Sequence, residues 1–436
     1  MPERHRSCAG PARLALVALL APLPVLAAGD DPVTPVLLGL AVILAAAKLG
    51  GEVAVRLRQP AVLGELLVGV LLGNLGLTGF RALDFIKADP TVDMLSRLGV
   101  IILLFEVGLE STLGEMAKVG WSALLAAVLG VITPFALGWG VGAWLVPEAG
   151  AYVHAFLGAT LAATSVGITA RVLQDLGQSQ SREARIILGA AVIDDVLGLV
   201  VLAVVAGIIS AVDAGSALSV SSVASIVGKA AGFLLGALLL GLAFVPAAVR
   251  GASRFRGRWT LLSLGLALAF GFAWLAGVMG LAPIIGAFAA GLVLEPSHFQ
   301  PFTERGERTL EDLVHPISAF LVPIFFVVMG MNTDLASFAN VGVLGLAAAL
   351  TLAGILGKLA CGLGVVQKGV DRLTVAVGMV PRGEVGLIFA GVGLSLTLGG
   401  RPVLDAGTYS AVVILVIVTT LVTPPALRWT ISRRER

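Results

Sequence analysis

Charge is what this sequence has least of. Asp, Glu, Lys and Arg together make 13% of the 436 residues, against 58% hydrophobic residues and a mean hydropathy of +1.00. A soluble domain carries about a quarter of its residues charged, so this composition excludes a water-soluble globular protein and leaves an integral membrane protein. Cysteine is nearly absent: Cys8 falls in the leader-like start and Cys361 in an apolar run, which excludes a disulfide framework and a thiolate metal cluster. Neither a GxxxxGK[ST] loop nor a Rossmann fingerprint occurs, so nucleotide binding is not encoded. No nucleophile–base set with an orienting partner and no metal-ligand spacing supports an enzyme or a resident cofactor. The net charge of +2 is spread over loops and a few intramembrane positions and gives no reason for a nucleic-acid partner. The partner that composition implies is the lipid bilayer.

What is there instead is a series of apolar runs long enough to cross hydrocarbon as helices of roughly 20 residues. In lipid the backbone must satisfy its own hydrogen bonds, so the spans are read as α-helices. The start, MPERHRSCAGPARLALVALLAPLPVLAAGD, reads as a signal peptide over 1–27, with a basic beginning, an apolar stretch broken by Pro22 and Pro24, and a small-residue site near Ala27. Hydropathy and turn signals divide the remainder into about thirteen spans. They lie near 33–55, 61–78, 94–110, 117–146, 152–175, 185–211, 219–249, 259–279, 282–295, 312–331, 337–365, 371–397 and 408–428. One set of alternate connections holds Arg56, Arg58, Lys118, Arg182, Arg185, Arg250, Arg254, Arg256, Arg258, Arg305, Arg308, Lys368 and Arg372, and shares its side with the terminal Arg433, Arg434 and Arg436. The other set holds little beyond Arg81, Lys87 and Arg401. The positive-inside rule then places the C-terminus in the cytoplasm and the mature N-terminus outside. Only ISRRER follows the last span, so no soluble domain is expected there, and transport would draw on an existing gradient.

A charge at mid-membrane costs about 2.5–3.5 kcal/mol on insertion scales, so each such residue asks for a reason. In GAAVIDDVLGLVVLAV (189–204) the adjacent Asp194 and Asp195 have apolar or small residues on both sides. Successive helix residues point about 100° apart, so one carboxylate is expected to meet a neighbouring helix and the other a water-filled cavity. Lys358 in TLAGILGKLACGLG offers the opposite charge, and pairing with one aspartate relieves the repulsion between the two. Two spans look broken. ATLAATSVGITARVLQDLG (159–177) carries Thr164, Ser165 and Gly167 in mid-span, and VGMVPRGEVGLIFAGVG (377–393) carries Pro381, Arg382, Gly383 and Glu384. Irregular backbone at membrane depth survives only where protein or a cavity covers it, and paired interruptions point to a transporter's binding site. They are the middle members of spans four to six and eleven to thirteen, which fits an inverted repeat. Carboxylate, hydroxyl and carbonyl oxygens suit a small hard cation, and aspartates that hold either protons or the cation make the two compete.

These motifs, with QPAVLGELLVGVLLG (59–73), FEVGLE (105–110), ATSVGITARVLQDLG (163–177), APIIGAFAAGLVL (282–294), FFVVMGMNTDL (325–335) and LGKLACG (356–362), run in order through most of the chain. Together they resemble the monovalent cation:proton antiporter-2 superfamily, most closely the NapA-type bacterial Na+/H+ antiporters. The resemblance implies an all-α fold of about thirteen transmembrane helices with inverted repeats and two discontinuous crossing helices. It implies a homodimer in the bacterial inner membrane, with a dimerisation bundle over 28–115 and 259–336, a linking helix over 212–258, and an ion-translocating core over 116–211 and 337–436. It implies electrogenic Na+(Li+)/H+ exchange by an elevator-like movement of the core. Asp195 resembles the principal ion and proton carrier, and Asp194 its companion, paired with Lys358 when the cation is absent. Thr164 and Ser165 resemble further Na+ ligands at one crossing, and Pro381, Arg382 and Glu384 support the other. The readings left open are K+/H+ exchange within the superfamily and, from another class, an ion channel. Glu65, Glu106 and the Lys48/Glu52 pair are read as structural or interfacial, and Lys229 is unexplained. His154, His298 and His315 near the membrane edges invite a pH-sensing role that the carboxylates already supply.

Overall fold

The computed structural model describes residues 33–434, apart from 58, 111–119, 166–168, 171, 174, 175, 177, 179, 180, 216–219, 253–258, 295–298, 300, 301 and 303–307. The expected leader over 1–27 and His298 lie outside the described residues. The helices are α1 (Val33–Arg56), α2 (Ala61–Gly73), α3 (Asp84–Ala88), α4 (Pro90–Glu110), α5 (Trp121–Leu145), α6 (Gly150–Ala162), α7 (Arg182–Asp213) and α8 (Val220–Ala252). There follow α9 (Thr260–Val278), α10 (Pro283–Val293), α11 (Leu310–Met331), α12 (Val341–Leu359), α13 (Arg372–Gly378), α14 (Gly383–Ser395) and α15 (Ala406–Arg434). Every span expected from hydropathy is represented. Among the described residues eight helices are long and apolar enough to cross a membrane, and α2, α10 and the 385–395 part of α14 are shorter apolar helices. The chain is a multi-pass, predominantly helical membrane protein.

Local signals set the helix ends. Ser181 accepts from the Ala184 N–H ahead of α7 and Thr309 from the Asp312 N–H ahead of α11, while Asn340 and Asp371 cap α12 and α13 in the same way. Each side-chain oxygen takes up a backbone donor that the first turn leaves unpaired. Between them, apolar residues meet small ones. A Cβ on Gly64 would fall 1.9 Å from the Gly50 carbonyl oxygen, so α1 and α2 touch backbone to backbone where only glycine fits. The eleventh span is shorter as an α-helix than hydropathy suggested: after Leu359 the chain tightens into a 3₁₀ turn over Ala360–Gly364.

Two groups of helices result. In one, α2 and α4 pack on α11, α1 on α2, and α10 on α4 and α9, around a core that includes Ile43, Phe105, Ile324 and Val327. In the other, α5 packs on α6, α7 and α12, and α15 packs on α12, α13 and α14. The long helix α8 touches α7 on one side and α10 on the other. Within the second group, α5, α6 and α7 match α12, α13–α14 and α15 in order, each triplet having its broken member in the middle. A short hairpin, β1 (Thr397–Leu398) with β2 (Arg401–Pro402), joins α14 to α15, and Thr397 pairs with Pro402.

The Lys48/Glu52 pairing expected along α1 is replaced. Glu52 bonds Arg56 at 2.9 Å instead, since a glutamate N-terminal to its cation at i,i+4 is the better orientation. Lys48 acts instead on Glu65 of α2, whose carboxylate lies against Gly51.

Candidate functional site

The two breaks cross inside the second helix group. α6 ends at Ala162 and residues 163–165 are not helical, while α13 ends at Gly378 and helix resumes at Gly383, which has φ +24°. Pro381 enforces the second break, because it lacks an N–H and pushes Val380 out of the helical region. The first break has no proline and is held from across the crossing. The Ser165 N–H donates to the Pro381 carbonyl at 2.9 Å, and the Thr169 hydroxyl donates to the Gly378 carbonyl at 2.6 Å. Backbone groups freed by one interruption are thus met by the other, as burial away from water demands.

Beside this crossing α7 delivers its carboxylates. Asp194 is fully buried and Asp195 is 9% exposed. The Lys358 ammonium, from the last turn of α12, donates to Asp194 Oδ1 at 2.8 Å with both side chains wholly buried. The other oxygen, Asp194 Oδ2, has no hydrogen-bond partner, and neither has the Thr164 hydroxyl. That hydroxyl is close enough to act on the Asp194 carboxylate without making a well-formed hydrogen bond to it. Arg382, also fully buried, donates through Nη2 to the Gly354 carbonyl at 3.1 Å, while its Nε and Nη1 have no partner. Ser165 is buried at the crossing itself. Of Glu384 only the backbone, in the first turn of α14, is described.

An ion pair removed from water is sustained by mutual attraction and good geometry, and loses both if one partner leaves. Here the carboxylate keeps one oxygen bare next to a bare hydroxyl, both hard donors suited to a small monovalent cation. A cation held there competes with Lys358 for Asp194. Such a donor set suits the exchange of charge rather than covalent chemistry.

A family model described as sodium/hydrogen exchanger, transmembrane, matches residues 40–433. The chain belongs to the sodium/hydrogen exchanger family. Among relatives of this exchanger-family chain, the High-affinity Na(+)/H(+) antiporter NhaS3 of Synechocystis sp. is 40% identical over 427 residues, covering 90% of this chain and 89% of that protein. The Na(+)/H(+)-K(+) antiporter GerN of Bacillus cereus is 37% identical over 402 residues, covering 91% and 96%. The sodium proton antiporter MjNhaP1 from Methanocaldococcus jannaschii shares the fold, with TM-score 0.66 and 17% identity over 91% of this chain and 97% of that one.

The structure therefore brings Asp194, Thr164, Lys358 and Arg382 together, with Asp195, Ser165 and Pro381 adjoining. It sets others apart. Glu106 receives a short hydrogen bond from the Ser318 hydroxyl, with the His315 ring 4.0 Å away, in a cavity of about 440 Å³ lined by helices of the first group. His154 is buried, and its Nε2 bonds the Val146 carbonyl at 2.8 Å. Lys229 is exposed on α8. Sequence reasoning missed Cys361 and Gly130, which border the Asp194–Lys358 pair, and Tyr409, whose buried hydroxyl donates to the Met329 carbonyl at 2.7 Å. Gly130 had a signal in Pro134 four residues on, but nothing in the pattern said which helix it would face.

Proposed function

We propose that this chain exchanges Na+ or Li+ for H+ across a bacterial inner membrane, the ions competing for Asp194 and Asp195. The observation that carries the reading is the wholly buried Asp194–Lys358 pair next to the crossing, with Asp194 Oδ2 and Thr164 Oγ1 unpartnered. In the cation-free state Lys358 neutralises Asp194. A cation entering through Asp195 takes up the free oxygens, Lys358 withdraws from Asp194, and Asp195 releases the proton it held. Ser165 completes the ligand set, while Arg382, Pro381 and Glu384 hold the second crossing in place and offset its helix-end dipoles. The names of the relatives, which include Na(+)/H(+) antiporters, support the cation class.

The exchange is alternating access. The core (116–211 and 337–436) moves against the bundle (28–115 and 259–336), joined by the 212–258 helix, in a homodimer with its C-terminus cytoplasmic. In support, a cavity of about 760 Å³ separates Ser96, Ile284 and Phe325 of the first group from Ser210, Ile388 and Leu404 of the second, at the end that the basic loops mark as outer.

In everted vesicles, a pH-gradient dye dequenches on adding Na+ or Li+, and Asp195→Ala removes the response. Exchange at the wild-type level in that variant overturns the reading. The K+ arm of the same assay tests K+/H+ exchange, the name of the relative at 37% identity carrying both Na(+) and K(+).

A further inference from the structure

Helix α5 carries Pro134 in its interior. Proline has no N–H, so the carbonyl of Gly130, four residues earlier, is denied its i→i+4 donor. What gives this meaning is where the carbonyl lies. Gly130 is buried, and a Cβ built on it would come 2.7 Å from Cys361 Sγ, 3.3 Å from Asp194 Oδ1 and 3.4 Å from Lys358 Nζ. Pro134 faces the same neighbour: a Cβ on Gly357, the residue before Lys358, would fall 2.7 Å from Pro134 Cα. Residues four apart share a helix face, and the carbonyl of the first points toward the second. The freed oxygen therefore belongs to the face of α5 that meets α12, and at residue 130 no side chain stands between that face and the lysine.

An ammonium has three protons to donate, and Asp194 Oδ1 takes one of them. When a cation claims that carboxylate, a buried ammonium without an acceptor is strongly disfavoured. The charged or titratable groups that act on Lys358 are Asp194 from α7, Arg382 from the second crossing and the Cys361 thiol; α5 has no ionisable residue. The oxygen that α5 offers is neutral.

We propose that the Gly130 carbonyl is a positioning group for the exchange, receiving the Lys358 ammonium when a cation displaces it from Asp194. This rests on the reading of Asp194, Asp195 and Lys358 as the exchange site. The carbonyl lets Lys358 step aside within the protein, so the cation does not have to compete with an ammonium that has nowhere else to go.

Pro134→Ala is the direct test, because its new N–H takes one lone pair of the Gly130 carbonyl and competes with the ammonium for it while leaving every ionisable group in place. A hydrogen bond to a charged group is worth enough for the Na+ KM in vesicles to rise roughly tenfold, with kcat changing less. The Na+-dependent rise in Tm of the purified protein should weaken in step, while Tm without Na+ holds or rises because the helix regains a bond. A merely structural proline would lower that Tm and leave Na+ affinity alone. In a Lys358→Ala background, Pro134→Ala should leave Na+ affinity where it was, since coupled residues are not additive. Gly130→Ala, made with Cys361→Ala to relieve the 2.7 Å contact, covers the oxygen from the other side and raises KM in the same direction. Pro323→Ala, in α11 of the other group, should change nothing.

An unaltered KM in Pro134→Ala, an equal rise with and without Lys358, or the same rise in Pro323→Ala overturns the proposal. Asp195→Asn, measured alongside, separates the two levels: lost exchange there with a normal Pro134→Ala sinks only the carbonyl's role, whereas retained exchange there sinks the site and the carbonyl together.

Discussion

At the scale of single residues, the buried pair decides what a substitution does. Removing Lys358 leaves Asp194 with no cation at hydrogen-bond distance and at zero exposure. Losing one partner of a buried pair costs about 3–5 kcal/mol, because the other charge stays behind. Lys358→Ala should therefore lower Tm clearly, and adding Asp194→Asn should recover much of the loss. Thermal melts of the two variants check this; a double variant no more stable than the single would mean that the pair carries little of the folding energy. Both residues were legible from sequence because charge is so scarce that each buried one stands out. Gly130 was not, since a residue without a side chain shows its meaning only through its neighbours.

At the scale of elements, the crossing rests on a few bonds. Thr169→Val removes the hydroxyl that donates to the Gly378 carbonyl at 2.6 Å. The buried carbonyl is then unmet, a loss of about 1–3 kcal/mol. Faster hydrogen exchange at residues 376–383 is the expected readout. At the C-terminal end of α7, Asp213 accepts from the Thr397 hydroxyl at 2.5 Å and the Gly399 N–H at 2.7 Å, tying the hairpin to the helix that carries the aspartates. The Thr397 bond, then the backbone bonds, hold its carboxyl below the usual aspartate range. A lowered folded value means that this contribution is full above the ordinary pKa of about 3.9 and is lost as pH falls through the folded one. Hairpin protection from hydrogen exchange should fall below about pH 4, and Asp213→Asn should flatten that dependence. The spans, the order of repeats and the PRGE break could be read from hydropathy and proline. The first break was harder to place, because Thr and Ser alone do not stop a helix, and what holds it open is the partner segment some two hundred residues away.

At the scale of the whole molecule, polar links at the start of α15 join the two helix groups. Tyr409 of α15 reaches the Met329 carbonyl of α11, and Ser410 accepts from the Asp334 N–H just beyond α11. Relative movement of the groups has to stretch or break such links. Tyr409→Phe removes one and should speed interconversion, raising kcat with little change in Na+ KM; unchanged turnover would show that these contacts travel with the core. Which faces of the apolar helices meet each other was beyond the sequence, because lipid and protein interior ask for the same residues.

The hydrogen bond that runs from Ser165 to Pro381 between the two breaks joins main-chain atoms. A survey that trims side chains one at a time is blind to it: alanine at either position keeps the donor or the acceptor, and a quiet result there says nothing about whether the brace matters. Ester replacement at residue 165, which deletes the amide hydrogen alone, is the chemistry that reaches it.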